Sequence, residues 1–311
     1  MDYKTANDRC IFKYVSGSRA YGTENPESDY DVRGIYTNPI SELLFIYSAE
    51  GNLGSQTVKS LEENSELHEI RKFLKLASEC NPNIIEFLYA DRLILHTSEI
   101  WEKIRSHRDL FLSKKAKFTF SGYAIAQLKR IKSHRKYILN PPTKKPDRSD
   151  YGLSPDCKIP KDVYAAIGIL KDEWFSDEVQ ELVIKEKEYT RDLNDYNSYE
   201  LWRKNRNPIR QKMEDIVGYD VKHAMHLVRL INMCKEILTT NTLSVYRPDR
   251  ELLMEIRNGG WTYDKIESYA LESDVELNGL YSDSTLRDRP DLQGIQNLYY
   301  EICEEIYGVK I

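Results

Sequence analysis

No apolar run in the 311 residues approaches the roughly 20 needed to cross a bilayer. The opening MDYKTANDRC lacks the apolar core of a secretory signal. Both absences point to a cytoplasmic protein. The cysteines are few and unpaired: Cys10, Cys80, Cys157, Cys234 and Cys303 lie far apart, are odd in number and never form a C-x-x-C pair. That pattern argues against a disulfide framework or a zinc ribbon and leaves them as core or surface thiols. Repeats and low-complexity tracts are absent too. With 41% hydrophobic and 31% charged residues, the chain can build a sizeable core and is not disordered throughout. Its length suits one large domain or, more readily, two.

The net charge of −5 would by itself argue against a nucleic-acid partner, but the charge is unevenly spread. Lys114 to Arg148 holds eleven Lys/Arg and a single acid, Asp147. Leu201 to Met213 adds five more basic residues and no acid. Such stretches can form a local anion-binding face, or simply a solvated helix surface.

Along the chain, Ile11–Ser16 and Val32–Thr37 read as buried strands, and Gln56–Leu61 as a weaker third. From Glu69 to Cys80 the apolar residues Ile70, Phe73, Leu74 and Ala77 follow the spacing of an amphipathic helix, stopped by Asn81-Pro82. Helical periodicity dominates beyond residue 98, with helices expected near 98–112, 115–138, 219–239 and 291–307. Leu139 to Pro160 contains five prolines and reads as a long loop. The expected architecture is α+β: a small mixed-sheet domain followed by a mainly helical one.

The segment that carries chemistry is Val15–Tyr36, VSGSRAYGTENPESDYDVRGIY. A Gly-Ser pair directly after a strand can aim backbone N–H groups and a hydroxyl at one point, which is what a triphosphate needs. Gly17 allows close approach and Ser18 supplies the hydroxyl. Next comes Asp29-Tyr30-Asp31. On a strand, the two-residue period would put Asp29 and Asp31 on one face with Tyr30 and Val32 packed behind. Paired carboxylates repel unless a cation lies between them, and hard oxygen ligands select Mg²⁺ or Mn²⁺. Two such ions could activate an attacking hydroxyl and stabilise a pyrophosphate leaving group. Arg33 would fall on the same face, within reach of phosphate.

This segment resembles the G-S…D-x-D signature of the DNA polymerase β superfamily and, more narrowly, the RNA-ligase-associated RlaP nucleotidyltransferases grouped with RNA repair. The resemblance extends to Asn81-Pro82 with Glu86, to Phe120–Ala124 with Gln127, to Gly218–His223 with His226 and Arg229, and to Ile256–Gly259. It implies a nucleotidyltransferase domain over 1–112 and a helical substrate-binding domain over 113–311, with a loop-rich insertion near 139–215. It also implies an NTP substrate and two Mg²⁺ (or Mn²⁺) ions. Arg19 joins Gly17 and Ser18 as a nucleotide-binding candidate.

The superfamily carries a third acidic residue on a later strand, yet no Asp occurs between Asp31 and Asp91. Glu66, placed just before the Glu69–Cys80 helix where that strand should end, is the first choice as third catalytic and metal-binding carboxylate beside Asp29 and Asp31. Glu69 is the second choice, and as a helix start it fits a dipole partner better.

Lys222, His226 and Arg229 are spaced to share one helix face and are expected to contact phosphate. Gln127, Arg130 and His134 make a second stripe. Lys129, Arg130, Lys132 and Lys136 form the candidate RNA-binding patch. His223 and His226 lack a third ligand nearby, so zinc is not expected. Trp261 and the many tyrosines read more simply as core aromatics than as base-stacking groups. The expected reaction is NMP transfer from an NTP to a hydroxyl, at the end of a tRNA or a broken RNA. A small-molecule or protein acceptor is the alternative, and an inactive nucleotide or RNA sensor is a third.

Overall fold

The computed structural model describes residues 2–43, 56–156, 158–160, 163, 176–206 and 208–308; Cys157 falls outside them. The chain divides into two compact units, Met1–Arg130 with Val221–Ile311, and Ile131–Asp220.

The first unit is built on a five-stranded mixed sheet. Its strands are β1 (Cys10–Ser16), β2 (Asp31–Tyr36), β3 (Thr57–Ser60), β4 (Ser65–Glu69) and β5 (Ile94–Thr97), in the order β3-β4-β2-β1-β5. All neighbours are antiparallel except β2 and β4, which run parallel. The three strands expected from β-branched and aromatic runs are present. β5 has no counterpart among them, because it is a sheet edge whose four residues are all exposed and so carries no burial pattern.

One sheet face is an aromatic core. Phe12 stacks on Trp101 at 4.1 Å between ring centroids, and Tyr14 meets Phe87 edge-on at 5.0 Å. Phe73 joins both Phe87 and Trp101. The opposite face holds a smaller cluster, Ala6, Tyr36 and Leu67, with Ala6 supplied by α1 (Tyr3–Asp8). Two four-residue helices, α2 (Ser18–Tyr21) and α3 (Ile40–Leu43), precede and follow β2. Phe12 and Tyr14 come from β1, and the other rings, Phe73, Phe87 and Trp101, arrive on helices α4 (Ile70–Ser78), α5 (Pro82–Tyr89) and α6 (Glu99–Ser106). Helix α4 is the amphipathic segment expected from its spacing, burying Ile70, Phe73, Leu74 and Ala77. Asn81 has a second role beyond ending it: its side chain accepts from Asn83 N and starts α5, with Pro82 in the first turn, where its missing N–H costs nothing.

Helix α7 (Ala116–Leu139) runs past the boundary into the second unit, which also contains α8 (Asp177–Lys204) and α9 (Pro208–Val217). The stretch expected to be loop-rich thus includes a helix of 28 residues. Its periodicity is faint because only Val183 and Glu186 are buried along it. Glu186 makes a two-pronged ion pair with the buried Arg148, at 2.7 and 2.8 Å.

The first unit closes with α10 (Val221–Thr240), α11 (Arg250–Arg257), α12 (Tyr263–Asp283) and α13 (Leu292–Tyr307). Helix α10 buries twelve residues, which makes it the core of this part. Trp261 is buried and meets Tyr269 edge-on, so it is a core aromatic as expected. Among the described residues no helix is long and apolar enough to cross a membrane.

Candidate active site

Strand β1 ends at Ser16, and the chain turns at Gly17 into helix α2. Gly17 has φ 71° and ψ −148°, a region open to little besides glycine. A Cβ there would lie 2.8 Å from Asp31 Oδ2, so the turn packs directly against that carboxylate. Ser16 faces Asp31 across the β1–β2 pairing and donates its hydroxyl to Asp31 O at 2.9 Å. A Gly17→Ala variant should therefore displace the Asp31 carboxylate and lower stability by about 1–3 kcal/mol. Thermal unfolding checks it; a wild-type melting temperature would contradict the close packing.

Strand β2 begins at Asp31, later than the D-x-D spacing suggests. Asp29 precedes it on an exposed, irregular segment, and Tyr30 is 60% exposed instead of packed behind the carboxylates. The physical reason is the pairing: Ser16, opposite Asp31, is the last residue of β1, so Tyr30 has no partner strand to lie against. Arg19, from α2, stacks over the Tyr30 ring at 3.8 Å and donates to Ser28 O at 2.8 Å and Asp29 O at 3.3 Å.

Arg33 is two residues on from Asp31 and shares its face. Glu66 is its lateral neighbour on β4; the strand runs on to Glu69, so Glu66 is near its start instead of its end. The Glu66 carboxylate lies 3.4 Å from Arg33, 3.3 Å from Lys59 and 3.8 Å from His68. Burial lowers the His68 imidazole to about 4, with Arg33, Lys72 and Lys59 adding to the effect against the pull of Glu66. Glu69 is fully buried and caps α4 through Arg71 N and Lys72 N at 3.0 and 3.3 Å. Its carboxyl also meets Arg71 Nε at 2.9 Å. That is the dipole-partner role expected of a helix start, and burial nonetheless holds its pKa above the usual carboxylate value.

Lys222, His226 and Arg229 share α10 but not one environment: Lys222 is exposed, His226 half-buried and Arg229 buried. Arg229 Nη1 donates to Glu86 Oε1 at 2.6 Å, and its guanidinium covers the Tyr21 ring at 3.9 Å. Tyr21 in turn donates to Glu86 Oε2 at 2.7 Å. Burial opposes the Arg229 charge, but Tyr21 and Glu86 outweigh it and raise its pKa above the ordinary value. Burial also pushes the Tyr21 phenol well up. Two further contacts reach the α2 region. Arg247 N donates to Tyr21 O at 3.1 Å, and Arg257 Nη1 donates to Thr23 O. In the second stripe, Gln127 Oε1 meets His223 Nδ1 at 2.7 Å and His134 Nδ1 meets Asp220 Oδ2 at 2.9 Å.

Asn64 is a site residue that sequence reasoning misses. It sits in the turn before β4 with φ 45°, a left-handed conformation asparagine tolerates. From there its Nδ2 reaches Asp31 Oδ1 at 2.8 Å and Tyr30 O at 3.2 Å. The available signal is an Asn closing the short polar turn Glu62-Glu63-Asn64 between two strands.

A Gly-Ser turn leaving one strand of the mixed sheet thus packs on a carboxylate at the head of the antiparallel neighbour. Residues 3–145 match RlaP, the RNA repair pathway DNA polymerase beta family. Two curated relatives are similar to it in part. The uncharacterized 38.9 kDa protein in the nrdC-mobD intergenic region of Enterobacteria phage T4 is 27% identical over 128 residues, 38% of each chain. The uncharacterized protein YcgL of Bacillus subtilis (strain 168) is 33% identical over 100 residues, 32% of this chain and 38% of that one. The matches thus span well under half the length of either relative. No solved structure matches the chain.

Proposed function

We propose that this chain transfers a nucleoside monophosphate from an NTP to a hydroxyl at an RNA end, releasing pyrophosphate. The observation that carries the reading is the packing of the Gly17 turn against Asp31, which brings a phosphate-binding turn and a carboxylate to one place. Asp29 and Asp31, with Glu66 as the third candidate, are the hard oxygen donors that suit Mg²⁺ or Mn²⁺. Such ions supply charge neutralisation at phosphate and activation of the attacking hydroxyl. In this reading the Gly17 and Ser18 turn receives the triphosphate. Arg33 and Lys59, which neutralise Glu66 in the structure, exchange that carboxylate for phosphate oxygens. Arg229, buried against Glu86, supports the turn from beneath and does not meet phosphate.

RNA as the acceptor is supported by the family description and by α7, on which Lys129, Arg130, Lys132 and Lys136 are all exposed. Lys136 is paired with Asp195 at 2.6 Å, which neutralises part of its charge. Lys129 and Lys132, three residues apart, project from one side of the helix. In the other basic stretch, Arg203 pairs with Glu200, and Arg206 with Glu214 and Asp215. Replacing Lys129 and Lys132 by Glu should flatten the slope of log affinity against log salt by about 1.4 for single-stranded RNA, at ~0.7 per phosphate contact. NTP binding should be unchanged. Fluorescence anisotropy across a salt series measures both. An unchanged slope, with α-labelled NTP marking a protein or small molecule in place of added RNA, would replace the acceptor while keeping the transferase.

A further inference from the structure

Asp31 is fixed by the sheet, whereas Asp29 is not. The segment Ser28–Tyr30 lies outside the strands, yet its three successive carbonyl oxygens are all met by side chains. Arg19 donates to Ser28 O and Asp29 O, and Asn64 donates to Tyr30 O and continues to Asp31 Oδ1. Arg19 also lies flat on the Tyr30 ring, so the ring and the two carbonyls are gripped by one guanidinium. The exposed carbonyls of Asp29 and Tyr30 need no such partners, because water serves them equally well. Ordering an arginine side chain costs about 2 kcal/mol of rotamer freedom. Two side chains converging from α2 and from the turn before β4 therefore hold this segment in position and do little to stabilise it.

We propose that Arg19 and Asn64 are positioning residues that set the spacing of the Asp29 and Asp31 carboxylates for a divalent cation. Arg19 thereby leaves the group of nucleotide contacts and acts through the backbone of Asp29. The inference rests on the reading of Asp29 and Asp31 as metal ligands. Asn64 adds a constraint on the second carboxylate: with Oδ1 accepting from the amide, the rotation of Asp31 is set, and Oδ2 is the oxygen turned to Gly17. Outer-shell partners of this kind are worth roughly 10–100-fold in metal affinity.

The test titrates the full-length protein with Mn²⁺, following free ion by electron paramagnetic resonance, for wild type, Arg19→Gln, Arg19→Lys, Asn64→Gly and Asp29→Ala. Asn64→Gly keeps the left-handed backbone while removing the amide. Arg19→Gln and Asn64→Gly should bind Mn²⁺ about 10-fold or more weakly, with metal-free melting temperatures close to wild type. Arg19→Lys should fall between, since an ammonium can meet a carbonyl but cannot lie flat on the ring while gripping two of them. At saturating Mn²⁺ the rate of transfer by these variants should recover towards wild type. If Asp29→Ala loses Mn²⁺ while Arg19→Gln and Asn64→Gly keep wild-type affinity, the positioning role is overturned and the metal site stands. A wild type that binds no Mn²⁺, with or without NTP, removes the site and this inference together.

Discussion

Replacing Asp29 or Asp31 by alanine should reduce nucleotidyl transfer roughly 10³-fold or more, the loss expected when several kcal/mol of metal-borne charge stabilisation disappears. Fold stability should barely move. Asp29 is exposed and contributes through its side chain to no packed core. Asp31 loses one hydrogen bond from Asn64, worth about 0.5–1.5 kcal/mol. The pairing of a dead enzyme with a near-normal melting curve separates a catalytic role from a structural one. A fully active Asp29→Ala, Asp31→Ala double variant would end the assignment.

The opposite signature is expected beneath the same turn. Glu86 and Arg229 are both about 4% exposed and their ion pair is 2.6 Å long. Removing one partner leaves a buried charge without compensation, which costs about 3–5 kcal/mol. For a unit of this size each kcal/mol lowers the melting temperature by roughly 2–4 °C. Glu86→Leu or Arg229→Met should therefore melt about 6–20 °C below wild type. Replacing both with apolar residues of similar volume, Glu86→Leu with Arg229→Met, should cost less than either single change, because no lone charge remains. Calorimetry on the four proteins measures the coupling. Additive losses would show that the pair acts independently and does not lock α5, α10 and Tyr21 to one another.

These two predictions also divide what can be read in the sequence from what cannot. Gly17, Ser18, Asp29 and Asp31 stand out in the sequence because the chemistry expected of them depends on residue type at short spacing, and the structure places Gly17 against Asp31. The blocks around Glu86, Arg229 and Arg257 look family-like but give no physical role on their own. Their roles arise from contacts between residues far apart in the chain, with Tyr21 and Thr23. Arg229 illustrates the difficulty: helical spacing aligns it with Lys222 and His226, and only burial reveals that it faces Glu86. Tyr30 fails in the other direction, because an alternating pattern assumes a strand whose partner is long enough to cover it. Asn64 requires a left-handed turn that spacing does not encode. Helix α8 is hidden because its exposed positions outnumber the two it buries.

The central claim is best tested by the fate of the label from two preparations of one NTP, incubated with the wild-type protein, Mg²⁺ and RNA. With the label at the α-phosphate, it should become covalently attached to RNA in a Mg²⁺-dependent reaction. With the label at the γ-phosphate, it should leave as pyrophosphate in equal amount. Release as orthophosphate, or no attachment of the α-label to RNA, protein or small molecule with any of the four NTPs, would contradict a nucleotidyltransferase.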